Sequence, residues 1–320
     1  MARNKATVIG AGVALAGAGL AAFSHWAGRR AERQVPADGR FVEVDGARLH
    51  YVDIGANDVG GPPIVLVHGL GGQLRNFTYA LTERLSAHHR LIVIDRPRSG
   101  YSTVLAGVEP GLKAQADLIA GAIRELGIEK PLLVGHSLGG AISLSLALDH
   151  PGLVSGLALI APLTQPQTEV PAAFKGLAAG GASKVARTLI ANLVAVPMGA
   201  LTGTRTTAAV FAPEPVPDDF GIRGGGVLAL RPGNVYAAIF EMQAAADELT
   251  GIAARYGELT LPVSILYGRE DNILDFHTNG ETTAAQIARA RLELTAGGHM
   301  LPVTQPDLTA RFVAKAATAR

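Results

Sequence analysis

Residues 132–140 read Leu-Leu-Val-Gly-His-Ser-Leu-Gly-Gly: an apolar run stops at a glycine, presents a histidine and a serine, then passes two more glycines. The start has the texture of a strand buried on both faces, and residues 138–149 read as a helix stopped by Pro151. A strand turning directly into a helix crowds the residues two before and two after the turning point, where Gly135 and Gly139 stand. Such a turn holds Ser137 in a strained conformation that lifts its hydroxyl clear of the sheet. The helix behind aims free N–H groups and partial positive charge at whatever the serine attacks. A glycine-rich turn without chemistry looks the same locally. The reading therefore rests on whether the chain also supplies a base, a carboxylate and donors for a developing negative charge.

Outward from this turn, the chain alternates strand and helix. Residues 41–44 and 47–54 alternate apolar and polar around Asp45-Gly46, which predicts an antiparallel hairpin. Residues 64–67 (IVLV), 91–94 (LIVI), 157–160 and 263–268 (VSILYG) are short apolar strands, residues 291–295 supply a last one, and residues 76–87 fit a helix. A final helix starts near Pro306. This rhythm implies a doubly wound, mostly parallel α/β sheet with right-handed crossovers. It breaks between residues 163 and 250, where Pro, Gly and Ala-rich stretches surround helical segments at 183–196 (Ser183 as N-cap) and 234–248. We read this insertion as a helical cap between core segments 41–162 and 251–320.

The candidate base is His299 in Thr-Ala-Gly-Gly-His-Met-Leu-Pro (295–302), directly after the last strand, the plainer reading being a loop histidine. A serine hydroxyl needs such a group to take its proton. The base in turn needs a carboxylate to orient it. Asp271 follows the strand at 263–268, with Glu270 and Asp275 as neighbours able to take the same role. Val-His-Gly-Leu-Gly-Gly (67–72) follows a buried strand, and the amides of Leu70 and Leu138 can converge on one oxygen as an oxyanion hole. His68 and His136 are read as structural.

With these residues in place, the chain resembles the α/β-hydrolase superfamily from residue 41 onward. The resemblance rests on His68-Gly69-Leu70-Gly71, Gly135-His136-Ser137-Leu138-Gly139-Gly140, Asp271 and His299. It implies an α/β-hydrolase fold and a Ser137, Asp271, His299 triad, in the chain order that the family uses. One departure stands out: Asp95-Arg96-Pro97-Arg98-Ser99-Gly100-Tyr101-Ser102 resembles a family turn, but Arg98 occupies the place where glycine is usual.

Serine at the elbow excludes the aspartate-dependent epoxide and halide chemistry of related enzymes. It points to an acyl-enzyme and a serine carboxylester hydrolase of the esterase or lipase kind, and the apolar cap favours a hydrophobic acyl or aromatic ester. The alternatives are a carbon–carbon hydrolase of the meta-cleavage-product type, whose members usually place asparagine where His136 stands, and a hydrolase-fold binding protein without activity. No cofactor and no metal are implied. With 48% hydrophobic and 17% charged residues the chain can bury a sizeable core, and a net charge of +1 gives no field for nucleic acid. The absence of cysteine excludes disulfides and thiolate chemistry.

Residues 6–23 form an uncharged apolar run flanked by Arg3 and Lys5 on one side and Trp26, Arg29, Arg30 and Arg33 on the other. Within residues 1–40 we read it as a membrane anchor, with residues 28–40 as linker. A cleaved export signal is the alternative. A dinucleotide fingerprint at Gly17-Ala18-Gly19-Leu20-Ala21-Ala22 is the third reading, but it lacks the separate strand that the motif needs.

Overall fold

The computed structural model describes residues 2–55, 60–178, 181 and 183–319, with the side chains of all of these except 2–11 and 13. A nine-stranded sheet forms the centre, in the order β1-β2-β4-β3-β6-β7-β8-β9 with β5 against β2. The strands are β1 (Arg40–Val44), β2 (Ala47–Ile54), β3 (Ile64–Val67), β4 (Leu91–Ile94), β5 (Thr103–Val104), β6 (Leu132–His136), β7 (Gly156–Ile160), β8 (Val263–Gly268) and β9 (Ala290–Thr295). From β4 to β9 all pairings are parallel, and the β1–β2 hairpin joins antiparallel through β2 and β4.

Every residue of β3, β4, β6 and β7 is buried, because helices cover both faces. The twofold alternation along a strand divides these residues between two cores. Val65, Val67, Ile92 and Leu133 pack with Ile119 of α2 (Leu112–Glu125) and Ile142 of α3 (Leu138–Asp149), following the long N-terminal helix α1 (Ala2–Gln34) in the chain. Ile64, Leu66, Val93 and Val134 pack on the other face with Leu81, Phe312 and Val313.

Between β7 and β8 lie the long helices α4 (Lys184–Phe211) and α5 (Pro232–Ala253), and α6 (Pro306–Ala317) closes the chain. Ser183 caps α4 as expected, its hydroxyl accepting from Ala186 N at 3.1 Å. The helix does not stop near Val196. Pro197 lacks an N–H and would clash with the preceding turn, and a wide turn over Ala191–Ala195 opens the ladder so that the helix continues. Among the described residues, Lys184–Phe211 is long and apolar enough to cross a membrane, and it leaves Leu189, Val194, Met198 and Leu201 exposed.

Two expectations are corrected. The helix expected over residues 76–87 is two short ones, Arg75–Thr78 and Leu81–Leu85, because the backbone leaves the helical region at Ala80 (φ −151), and the Tyr79 carbonyl there accepts from the Arg223 guanidinium at 3.0 Å. Residues 28–34, expected as linker, continue α1. Ala27, Ala31 and Val35 recur every fourth position and are buried against Val235, Ile239 and Leu228, and Glu32 pairs with Arg231 at 2.8 Å. Part of the apolar run at 6–23 falls on side chains outside the described residues.

Backbone crosses backbone closely at the start of α3. A Cβ on Gly139 would lie 2.2 Å from the Val67 carbonyl oxygen, which no side-chain movement relieves. Gly139→Ala is therefore expected to lose about 2–3 kcal/mol of stability in urea denaturation. Gly251→Ala, on α5 with nothing near its new Cβ, is expected to gain about 0.5–1 kcal/mol in the same measurement.

Candidate active site

The carboxyl ends of β3, β6 and β8 bring the predicted residues to one rim of the sheet. Ser137 connects β6 to α3 with φ 55 and ψ −123, the left-handed region that a side chain rarely enters. The crowding foreseen around it is present: a Cβ on Gly135 would sit 2.6 Å from the Gly139 carbonyl oxygen. The Ser137 carbonyl accepts from Gly140 N at 2.8 Å and Leu163 N at 2.9 Å, so the turn is held from both sides.

Asp271 and His299 meet at the end of β8. Asp271 Oδ2 lies 2.8 Å from His299 Nδ1, with both side chains buried. Asp271 Oδ1 accepts from the amides of Ile273 (2.8 Å) and Leu274 (3.0 Å), which fixes the carboxylate in place. Nδ1 accordingly carries the ring proton, and Nε2 is left with its lone pair. The neighbouring acids are occupied elsewhere: Glu270 accepts from Gly297 N, and Asp275 accepts from the amide and hydroxyl of Thr278. The close passage of the histidine loop needs Gly268, whose Cβ would fall 2.0 Å from the Gly297 carbonyl oxygen.

Ser137 and His299 are joined through His136 rather than directly. His136 Nε2 donates to the His299 carbonyl at 3.0 Å, and the two rings lie tilted at 45° with centroids 4.9 Å apart. Among the described residues no hydrogen bond links the Ser137 hydroxyl to the His299 ring. Such contacts commonly close only around bound substrate.

The expected oxyanion donors are unoccupied. Neither the Leu70 nor the Leu138 N–H has an acceptor among the described residues. The loop bearing Leu70 lies directly over the serine, since a Cβ on Gly69 would be 2.8 Å from Ser137 Cβ and 3.3 Å from its Oγ. A serine hydroxyl, an oriented imidazole and two free backbone donors thus share one end of the sheet, an arrangement able to carry acyl transfer. A surface cleft of about 530 Å³ lined by Pro151, Val154, Leu259 and Pro262 sits at the opposite ends of the strands, away from these residues.

His68 and His136 are structural in geometry. His68 Nε2 accepts from Arg96 N at 3.0 Å while its Nδ1 donates to the Gly69 carbonyl at 2.9 Å. Burial, then the Arg96 charge, holds the His68 pKa well below the ordinary histidine range. Burial, reinforced by the adjacent His299, lowers His136 to about 3. Arg98 explains the departure in the family turn. Its φ of 66 is the conformation for which glycine is usual, and its guanidinium caps the Val108 carbonyl through Nε at 3.0 Å.

The family described as alpha/beta hydrolase fold matches residues 62–306, well over half of the chain. The protein belongs to that family. A 2-hydroxymuconate semialdehyde hydrolase from Pseudomonas sp. (strain CF600) is 29% identical over 295 residues, covering 88% of this chain and 93% of that one. The acetyltransferase component of the acetoin cleaving system of Cupriavidus necator is 34% identical over 145 residues, 45% of this chain. The match spans just 37% of the length of that relative and 31% of its Pseudomonas putida counterpart. Among solved structures, a bacterial membrane phospholipase A superposes with a TM-score of 0.68 at 20% identity over 100% of both chains, a likeness of fold.

Four polar residues of the rim escaped the sequence reading: Arg96, Gln115, Glu214 and Glu241. Glu214, from the segment between α4 and α5, accepts from Gly298 N at 3.1 Å and so ties the histidine loop to the insertion. Its only sequence signal was an acid in a proline-rich stretch.

The His136 ring gives a pH prediction. Its folded pKa is depressed below the unfolded 6.5, so its share of stability is complete above pH 6.5 and is lost as pH falls toward 3. Between pH 7 and pH 5 this one ring is expected to cost the protein about 2 kcal/mol. Urea denaturation at both pH values should show His136→Gln, which can still donate to the His299 carbonyl, losing correspondingly less.

Proposed function

We propose that the protein is a serine hydrolase that cleaves carboxylic esters carrying hydrophobic acyl or aromatic groups through an acyl-enzyme. The observation that carries this reading is the buried Asp271–His299 pair beside a serine held at φ 55 at the head of a helix. Ser137 Oγ attacks the ester carbonyl and gives its proton to His299 Nε2. Asp271 holds the imidazole in the required tautomer and balances its charge. The amides of Leu70 and Leu138 receive the carbonyl oxygen as it becomes negative. His299 then protonates the departing alkoxide, and a water activated by the same ring releases the acid.

An apolar cluster of Phe211, Phe220, Met300 and Val303, with Tyr79 and Val216 against it, adjoins His299 and supports an apolar substrate. The division into a core (41–162 and 251–320), a cap (163–250) and an N-terminal segment (1–40) belongs to this reading. So does membrane association through residues 6–23. It is supported by the uncharged run and by α1 lying along the apolar α4, where the Ser24 hydroxyl donates to the Asn192 carbonyl at 2.6 Å.

A carbon–carbon hydrolase is the second reading, favoured by the likeness to 2-hydroxymuconate semialdehyde hydrolase along most of the chain. The two readings share the triad and differ in substrate. Purified protein is expected to turn over p-nitrophenyl butyrate and to react with a fluorophosphonate probe at Ser137. Ser137→Ala should lose both, with kcat falling at least about 10⁴-fold. Turnover of a vinylogous diketone without ester hydrolysis would select the second reading, and no reaction with the probe would mark a binding protein. Deleting residues 1–23 should release the protein from phospholipid vesicles in a flotation assay.

A further inference from the structure

Arg96 is fully buried, and its guanidinium meets three parts of the fold at once. Nη1 and Nη2 grip Glu241 of α5 at 2.7 and 2.9 Å in a bidentate pair. Nη1 also donates to Gln115 Oε1 of α2 at 2.7 Å. Gln115 Nε2 in turn donates to Glu241 Oε1 at 3.1 Å, completing a closed triangle. The remaining contact runs from Nη2 to the Gly69 carbonyl at 3.0 Å. That carbonyl is the other half of the peptide whose N–H belongs to Leu70.

The Gly69 oxygen is unusually well supplied. It accepts from Arg96 Nη2, from His68 Nδ1 at 2.9 Å and from Gly72 N at 3.2 Å. Arg96 acts on the second of these as well, because its backbone N–H donates to His68 Nε2 and so places the ring proton on Nδ1. A peptide is planar and trans, so pinning its oxygen fixes the direction of the N–H on its other side. Donors on the oxygen, one of them charged, also polarise the amide and strengthen what its N–H gives.

We infer that Arg96 is a positioning residue for the oxyanion hole, and that Glu241 from the cap holds it to that task. The inference rests on the serine hydrolase reading above. The cap thereby sets the aim and polarity of the Leu70 N–H through a single buried cation, without touching substrate. A plain structural tie between cap and core would hold the two together equally well, but would leave the transition state untouched.

The test replaces the pair jointly, since removing one partner leaves a buried charge alone and threatens folding. Arg96→Met combined with Glu241→Met is compared with wild type and with Arg96→Lys. Thermal unfolding verifies that each variant folds. Steady-state hydrolysis of p-nitrophenyl butyrate, and of the matching thionoester whose sulfur is a poor acceptor, reads the oxyanion hole. In the folded double variant KM is expected to stay within about twofold while kcat falls about 10- to 100-fold, the mark of an interaction made in the transition state. The preference for oxygen ester over thionoester should shrink in parallel, and Arg96→Lys should recover part of it. An unchanged kcat, or a loss shared equally by both esters, overturns the inference. Should wild type neither hydrolyse the ester nor take the fluorophosphonate at Ser137, the serine hydrolase reading falls and takes the inference with it. An active wild type beside an unaffected double variant overturns the inference alone.

Discussion

At the carboxyl rim of the sheet, backbone passes so close to backbone that no Cβ fits. Gly139 lies against the Val67 carbonyl, Gly69 lies over Ser137, and Gly268 lies beneath the Gly297 carbonyl. These crossings bring the ends of β3, β6 and β8 together at one candidate site. They also explain why the serine is strained. Helix α3 must begin immediately after β6 to put its first amides beside the hydroxyl, and a φ of 55 at Ser137 is the geometry of that turn. Packing along β6 and α3 holds the conformation in place, since every residue of β6 and all but the last of α3 are buried.

The insertion is bound to this rim by hydrogen bonds as well as by apolar packing. Glu241 grips Arg96, Glu214 accepts from Gly298 N, Gln73 Nε2 donates to the Gly224 carbonyl at 2.6 Å, and Glu248 accepts from Lys113 N at the head of α2. Each contact ends on a loop that carries a candidate functional group or on a helix packed beneath one. A buried ion pair such as Arg96–Glu241 gives little net stability, because desolvating both charges offsets their attraction. Its value is directional: a bidentate pair permits one orientation of the guanidinium and so of everything the guanidinium touches.

The elements of the sheet were legible because their signals are local. Strands at 64–67, 91–94 and 263–268, and the helix ended by Pro151, follow from short apolar runs and from a residue that cannot continue a helix. Ser137, Asp271 and His299 were legible for a related reason, each standing just after a recognisable strand. The role of Arg96 was not. Its partner is 145 residues away on a helix whose rotation against the sheet no periodicity in the chain encodes. The continuation of α4 past Pro197 depends on a wide turn three-dimensional in origin, and the docking of α1 depends on small residues whose spacing is also that of a plain apolar run.

A neutral histidine ring lies beside the one that the proposed cycle protonates. If His136 were charged, its ring 4.9 Å from His299 would oppose the imidazolium by about 3 kcal/mol at an effective dielectric of ~20. Burial removes that opposition by holding His136 at about 3, and burial likewise holds down the pKa of His68 in the loop that passes over the serine. The apolar packing that crowds the turn into its strained shape therefore also keeps the His136 and His68 rings uncharged. Shape and charge at this rim have a common cause. A substitution that lets water reach His136 would disturb both the geometry of Ser137 and the charge beside the proposed base.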